Sequence, residues 1–282
     1  MWDSSEFASM YASAEKLTGH FAELLVQRAG LEEASKTQSL VILDEACGTG
    51  IVSFHLMNAL SEQSKAKLDL TCADFAQAMV DFVARRIESS GWKNVRAVQS
   101  DAMDTKLPSD TYTHVFLNFG PMVFPDWRAG MREIHRMLRS GGTIAMSSWR
   151  KIGWVPDIRT AFDSDPEIPK FPSEDELRRI FSPDGGWDDP AWIAETVRAA
   201  GFVDVEVREV PHSSVLDGVD EFIRLMVGTV GMVISKTWTA EQQDKFKTRA
   251  NDAVATYMRR KYGDGQIQWD WIAILTVAKK PA

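Results

Sequence analysis

Carboxylates set around a glycine turn carry the clearest chemistry in this sequence. Asp44 and Glu45 end a short apolar run (Val41, Ile42, Leu43), the turn Ala46-Cys47-Gly48-Thr49-Gly50 follows, and Asp74 and Asp101 each close a later apolar segment. Glycines at 48 and 50 let the turn take positive φ and let a ligand approach bare backbone without meeting a Cβ. An acid about twenty residues beyond such a turn stands where ribose hydroxyls find their acceptor. These residues describe a site for a nucleotide-like ligand. A dinucleotide-binding turn shares the spacing, so a dehydrogenase fits this much. It fits less well with Ser53 in place of the third glycine, and with a third acidic strand end followed by Ala102-Met103.

Other residue types narrow the chemistry by what they lack. The chain has five histidines. His20, His55 and His135 fall in helical patterns and His114 opens a strand, whereas His212 follows the sixth strand and is the candidate to face an acceptor. Neither an HEXXH nor a CxxC pattern occurs, and no cluster has metal-ligand spacing, so no metal is expected. The two cysteines, Cys47 and Cys72, read as reduced, buried thiols near the ends of neighbouring strands, in a cytoplasmic protein. A net charge of −8 argues against a nucleic-acid partner. No apolar run is long enough to span a bilayer, and residues 1–6 lack the basic and apolar parts of a signal peptide, so no membrane partner is expected.

The elements that must position these residues follow from apolar periodicity. A helix is predicted over 10–30 with Gly30 as its stop, then a polar connector over 32–38 and the first strand from Val41. Strands over 68–74 and 95–101 each end in an acid; between them Phe75, Met79, Val80, Val83 and Ile87 line one helix face. A fourth strand covers 114–119. A helix with Trp127, Met131, Ile134 and Leu138 inward ends at Gly141-Gly142, and a fifth strand covers 143–149. Such alternation predicts a parallel sheet with helices on both faces. Further on, Ser173 with Glu176 and Thr239 with Gln242 form capping boxes, Asp189-Pro190 opens a helix that Gly201 closes, and a sixth strand spans 203–210. Helices over 219–235 and 239–262 precede a last strand over 271–279.

The pieces LDEACGTG (43–50), CADFAQAMVD (72–81), VQSDAMD (98–104), THVFLNFGPMVFPD (113–126) and REIHRMLRSGGTIAMSSW (132–149) together resemble the class I S-adenosylmethionine-dependent methyltransferases. The resemblance covers most of the chain. It implies a Rossmann-like α/β fold, a mostly parallel sheet of seven strands with helices on both faces and helical lid elements. It implies S-adenosylmethionine as cofactor, leaving as S-adenosylhomocysteine. Asp74 would then hold the ribose. Asp101, Ala102 and Met103 would read the adenine, while Gly48 to Gly50 pass the methionine part and Asn118 and Phe119 border the sulfonium. Asp44, Phe75 and Met79 belong to the same expected site. Two departures stand out: Ala46 replaces the first glycine of the family turn, and Glu45 stands where many members have an apolar residue. Glu45 is either a solvated strand end or a contact to the cofactor's ammonium. Tyr11, on the N-terminal helix, is either a surface residue or a hydrogen-bond donor to the cofactor's carboxylate.

A narrower resemblance rests on EKLTG (15–19), the turn spelled ACGTG, FPD (124–126), WT-x-EQ (238–242) and Gly265-Gln266. These look like the small-molecule methyltransferases of fungal specialised metabolism, in particular the thiol methyltransferases of epidithiodiketopiperazines. The acceptor implied is a small molecule methylated on a heteroatom, with thiol first and N- or O-methylation or a non-methylating cofactor-binding member as alternatives. One methyltransferase domain is expected over 1–282. Its parts would be a helical cap (1–35), a cofactor core (36–211), a helical lid insertion (212–268) and the last strand (269–282).

Overall fold

In the computed structural model, which describes residues 4–183 and 185–282, the apolar runs become strands buried on both faces. In β1 (Val41–Glu45) only the first residue is partly exposed, in β2 (Asp69–Asp74) only the two ends, and in β4 (Tyr112–Asn118) only the last. Strands buried this way need cover on both faces, which parallel crossovers supply. With β3 (Val95–Gln99), β5 (Leu138–Lys151), β6 (Val203–Leu216) and β7 (Ile267–Lys279) they form one sheet in the order β3-β2-β1-β4-β5-β7-β6. The order reverses between β1 and β4, the crevice where open α/β sheets take their ligands. Parallel register levels the strand ends there: Glu45 lies opposite Ala73, Asp74 opposite Gln99, and Asn118 opposite Ser147.

The helix predicted over 10–30 is two helices, α1 (Ser5–Ser13) and α2 (Glu15–Arg28), divided at Ala14. The cap expected over 1–35 therefore starts with described structure only at residue 4. The division has a packing reason. The second helix docks against α4 (Ile51–Ala59) and the first against α6 (Gln77–Ser90), and a straight helix cannot follow both. The connector expected over 32–38 is mostly helical as well, α3 (Leu31–Thr37), with Leu31 buried and Lys36 paired to Glu32 and Glu33. A short α5 (Glu62–Lys65), capped by Ser61, precedes β2.

Phe75 is not on the buried face of α6. It precedes the helix and is 66% exposed. Helix α7 (Trp127–Met137) stops earlier than Gly141, because Leu138 already pairs with Tyr112; the excess residues before Thr143 form a bulge in β5. The sixth strand continues past Val210 to Leu216, so His212 lies within it. Helix α8 (Val155–Asp163) and α9 (Glu174–Phe181) come next in chain order after β5, and α10 (Pro190–Ala199) opens on Asp189 as expected. The long helical stretch is α11 (Val219–Thr237) and α12 (Ala240–Tyr262), and both expected capping boxes are formed.

The chain divides into two units. One comprises residues 1–150, 185–210 and 273–282, and the other 151–184 and 211–272. Within the second, Asp157 is 4% exposed and accepts hydrogen bonds from Lys261 Nζ (2.5 Å), Tyr262 Oη (2.8 Å), Trp269 Nε1 (2.9 Å) and Tyr257 Oη (3.3 Å). Burial alone would raise its pKa, but these donors together hold it below the ordinary aspartate value. The sign follows: this stabilisation is present above about pH 4 and is lost as pH falls through the folded-state pKa. Asp157→Ala strands four donors, and is expected to cost roughly 3 kcal/mol or more in urea unfolding. A loss under about 1 kcal/mol would mean that water replaces the carboxylate freely.

Candidate functional site

The turn after β1 is held by backbone and by one carboxylate. Cys47 N–H donates to Ala73 O (2.9 Å) and Gly50 N–H to Cys47 O (2.8 Å). Asp74, at the end of β2, accepts from Gly48 N–H on Oδ2 (2.8 Å) and from Ala76 N–H on Oδ1 (2.9 Å). Gly48 and Gly50 sit at φ +55° and +82°. A Cβ on Gly48 would come within 3.3 Å of Tyr11 Cε1, so the glycine is needed for conformation and for close approach alike. Ala46 adopts φ +50° too, a region that costs a residue with a Cβ about 1–2 kcal/mol. The family's glycine is thus replaced without the backbone changing its demand.

These strand ends enclose a cavity of about 350 Å³. The structure brings Tyr11, Glu45, Ala46, Gly48, Asp74, Phe75, Met79, Asp101, Ala102, Met103, Asn118 and Phe119 to its wall, as the sequence grouped them. Three others lie elsewhere. Asp44 turns away, its Oδ2 accepting from Ser53 N–H (3.1 Å) and Ser53 Oγ–H (2.6 Å) at the start of α4. Gly50 sits under α6, where a Cβ would meet Val83 at 3.2 Å. His212 is half-buried on β6 in the second unit and does not line the cavity.

Hydrogen bonds orient Asp101 and Asn118 on the wall. Asp101 Oδ1 accepts from Met103 N–H (2.9 Å), which closes a tight turn. Ser147 Oγ accepts from Phe119 N–H (2.9 Å) and donates to Asn118 Oδ1 (2.6 Å), leaving the Asn118 amide as a donor. Phe119 takes φ +55° and is kept there by an aromatic sandwich: its ring stacks on Trp149 at 3.9 Å, and Phe21 meets both rings edge-on. A residue with a Cβ keeps such a conformation only where its surroundings over-determine it, as these rings and the Ser147 hydrogen bond do here.

The electrostatics are acidic. Burial raises the Asp44 pKa to about 7 against the pull of Ser53. Burial raises Glu45 to about 8; the Ala46 amide favours the charged form, while the charges of Asp74, Asp44 and Asp101 oppose it. Glu45 is 1% exposed, and neither carboxylate oxygen makes a hydrogen bond of good geometry. Burial, with Asp74 and Glu15 nearby, pushes Tyr11 up to about 12, so its phenol keeps its proton. No His, Lys or Arg lines this wall among the described residues.

Sequence reasoning missed Glu15. Its Oε1 accepts from Thr49 Oγ1–H (2.5 Å) and its Oε2 from Arg86 (2.9 Å), so one side chain ties α2 to the glycine turn and to α6. EKLTG and ACGTG, read apart in the sequence, meet here. The one available hint was that both belong to the same narrower resemblance. A helix-surface glutamate with no such contacts looks the same in sequence.

The family model for the ubiE/COQ5 methyltransferase family matches residues 24–210. The chain belongs to that family. It is 34% identical over 282 residues to a methyltransferase of Aspergillus fumigatus, tpcH, across 100% of this chain and 99% of that one. It is also 34% identical over 279 residues to the acetylaranotin bis-thiomethyltransferase of Aspergillus terreus, across 99% of this chain and 96% of that one. Among solved structures, the YcgJ protein of Bacillus subtilis shares the fold with a TM-score of 0.52 at 14% identity, over 93% of this chain and 99% of that one. This chain is a methyltransferase with a seven-strand Rossmann-like core.

Removing Glu15 leaves Thr49 and the half-buried Arg86 without their acceptor. Glu15→Ala is expected to destabilise the protein by roughly 2–3 kcal/mol and Thr49→Val by about 1 kcal/mol. A double-mutant cycle read by thermal unfolding should show coupling of at least about 0.5 kcal/mol; strict additivity would show the contact to be idle.

Proposed function

We propose that this methyltransferase binds S-adenosylmethionine in the cavity beside Glu45 and Asp74 and methylates a heteroatom of a small molecule, with a thiol favoured. One observation carries the donor: an acidic wall, with a buried carboxylate whose oxygens make no hydrogen bond, suits a ligand bearing positive charge and a ribose diol. Asp74 accepts a backbone amide on each oxygen, which fixes its carboxylate at the cavity wall where a ribose diol would meet it. The Asp101–Met103 turn would border the adenine, with Ala102, Phe75 and Met79 supplying apolar surface. Ala46 and Gly48 would pass the amino-acid part, and Tyr11, protonated at any ordinary pH, would donate to its carboxylate. When bound, this cofactor supplies a methyl already activated on a sulfonium. The protein's own task is then to align the nucleophile and keep water out, which Asn118 and the fixed ring of Phe119 serve.

The acceptor reading draws on two supports. One relative is named for thiol methylation, and the described cavity wall offers no histidine or lysine to deprotonate an alcohol. A thiol brings its own thiolate fraction near neutral pH. We further propose a cytoplasmic enzyme, since both cysteines are free. We likewise propose one methyltransferase domain, with a cofactor-binding core over 36–211 between a helical cap over 1–35 and a helical insertion over 212–268, and 269–282 as its last strand.

Methyl-labelled S-adenosylmethionine offered with thiol, amine and hydroxyl metabolites should place label on sulfur first. Label on oxygen or nitrogen alone would reassign the acceptor, and no transfer with donor still bound would favour a non-methylating member. Asp74→Asn should weaken donor binding roughly ten- to hundredfold by calorimetry, the worth of about 1.5–3 kcal/mol for a hydrogen bond to a charged group. Unchanged affinity would remove Asp74 from the site. His212→Ala should keep activity within about tenfold of the parent. A drop of roughly 10²–10⁴, with donor affinity intact, is what loss of a general base produces.

A further inference from the structure

Among the described residues of the wall, Glu45 has a buried carboxylate with no hydrogen bond of good geometry to either oxygen. It ends β1, opposite Ala73, with its side chain 1% exposed and both oxygens unpartnered. The groups around it are all acidic or neutral: Asp74 from the end of β2, Asp101 from the loop after β3 and the Tyr11 phenol from α1 share its wall, and Asp44 of the same strand adds its charge from the opposite face. Asp74 and Asp101 accept backbone amides and Asp44 accepts from Ser53. An ionised carboxylate so buried and unpaired costs several kcal/mol, more than a neutral acid with an unmet hydroxyl.

We propose that Glu45 is a proton-linked seat for the ligand's ammonium: it holds a proton in the ligand-free protein and releases it to solvent as the ammonium enters. The proposal rests on the donor reading above, and adds the residue and the proton count. The O–H bond of the carboxyl breaks, the proton leaves to buffer, and the carboxylate pairs with the ammonium in its place. The charge on the wall is thus matched only while a cationic ligand is present. The sign agrees with the raised pKa of about 8: below it, binding must expel the proton, so affinity climbs with pH. From pH 6 toward 8 the climb approaches tenfold per unit, and it flattens once Glu45 is ionised without ligand. A nucleoside thioether lacking the amino-acid part gains nothing from this ionisation.

The test is calorimetry with S-adenosylhomocysteine near pH 7, in two buffers of different ionisation enthalpy. The wild-type protein should release close to one proton per ligand, and Glu45→Gln little or none, with affinity lower by tenfold or more. Asp44→Asn should release as the wild type does, which separates the two neighbouring acids. 5′-Methylthioadenosine should bind the wild type without proton release. Wild-type binding with no proton release, or equal release by wild type and Glu45→Gln, overturns the proposal while leaving the donor reading in place. The wild-type count suffices for this even if Glu45→Gln does not fold. Failure of the wild type to bind S-adenosylhomocysteine at all would instead overturn the donor reading, and the proposal with it.

Discussion

The grip of Asp74 on the Gly48 amide is the contact on which the site depends. It joins the end of β2 to the turn after β1, and a charged acceptor makes it one of the stronger hydrogen bonds available. The second oxygen holds Ala76, so the same side chain also fixes the entry to α6. That helix carries Met79 into the wall and, with Ala76 and Ala78, packs around Ala8 of α1, where Tyr11 reaches the cavity. Because these parts are tied through one carboxylate, the turn, the apolar wall and the N-terminal helix keep a common geometry.

The cavity shows how burial and charge trade against each other. Asp44 is as buried as Glu45, yet it has two donors from Ser53 and serves the start of α4. Glu45, one residue later, makes no hydrogen bond with either oxygen. Strand alternation sends neighbours to opposite faces, so two adjacent acids meet unlike surroundings. Their surroundings diverge accordingly: the Asp44 carboxylate is held by Ser53, and the Glu45 carboxylate borders the cavity.

The second unit uses the same physics for a different end. Asp157 gathers donors from α12 and β7 around α8, and Phe162, Phe171 and Trp238 pack beside one another. Trp154, Trp269 and Trp271 are buried, with indole N–H groups of the last two placed on Asp157 and Ser214. Large aromatics suit such a core when their polar edge has an acceptor.

The sequence by itself determined the alternation of elements, the glycine turn, both capping boxes and the acidic strand ends of the cavity, because each rests on local pattern or on a strand end whose direction is fixed by topology. The rest of the expected wall, Tyr11, Phe75, Met79, Asn118 and Phe119 among it, came from the family resemblance. Apolar runs, turn glycines and terminal acids are local facts, and a parallel sheet brings strand ends together whatever lies between them. Only the tertiary structure decided the rest. The break at Ala14 exists because α1 and α2 dock on different helices. Phe75 is exposed because the helix starts two residues after it. The roles of Asp44, Glu45 and Glu15 depended on donors far away in the chain, Ser53, none, and Thr49 with Arg86. A carboxylate looks alike in every sequence; its neighbours in space set whether it caps a helix, ties a turn or stays open to a ligand.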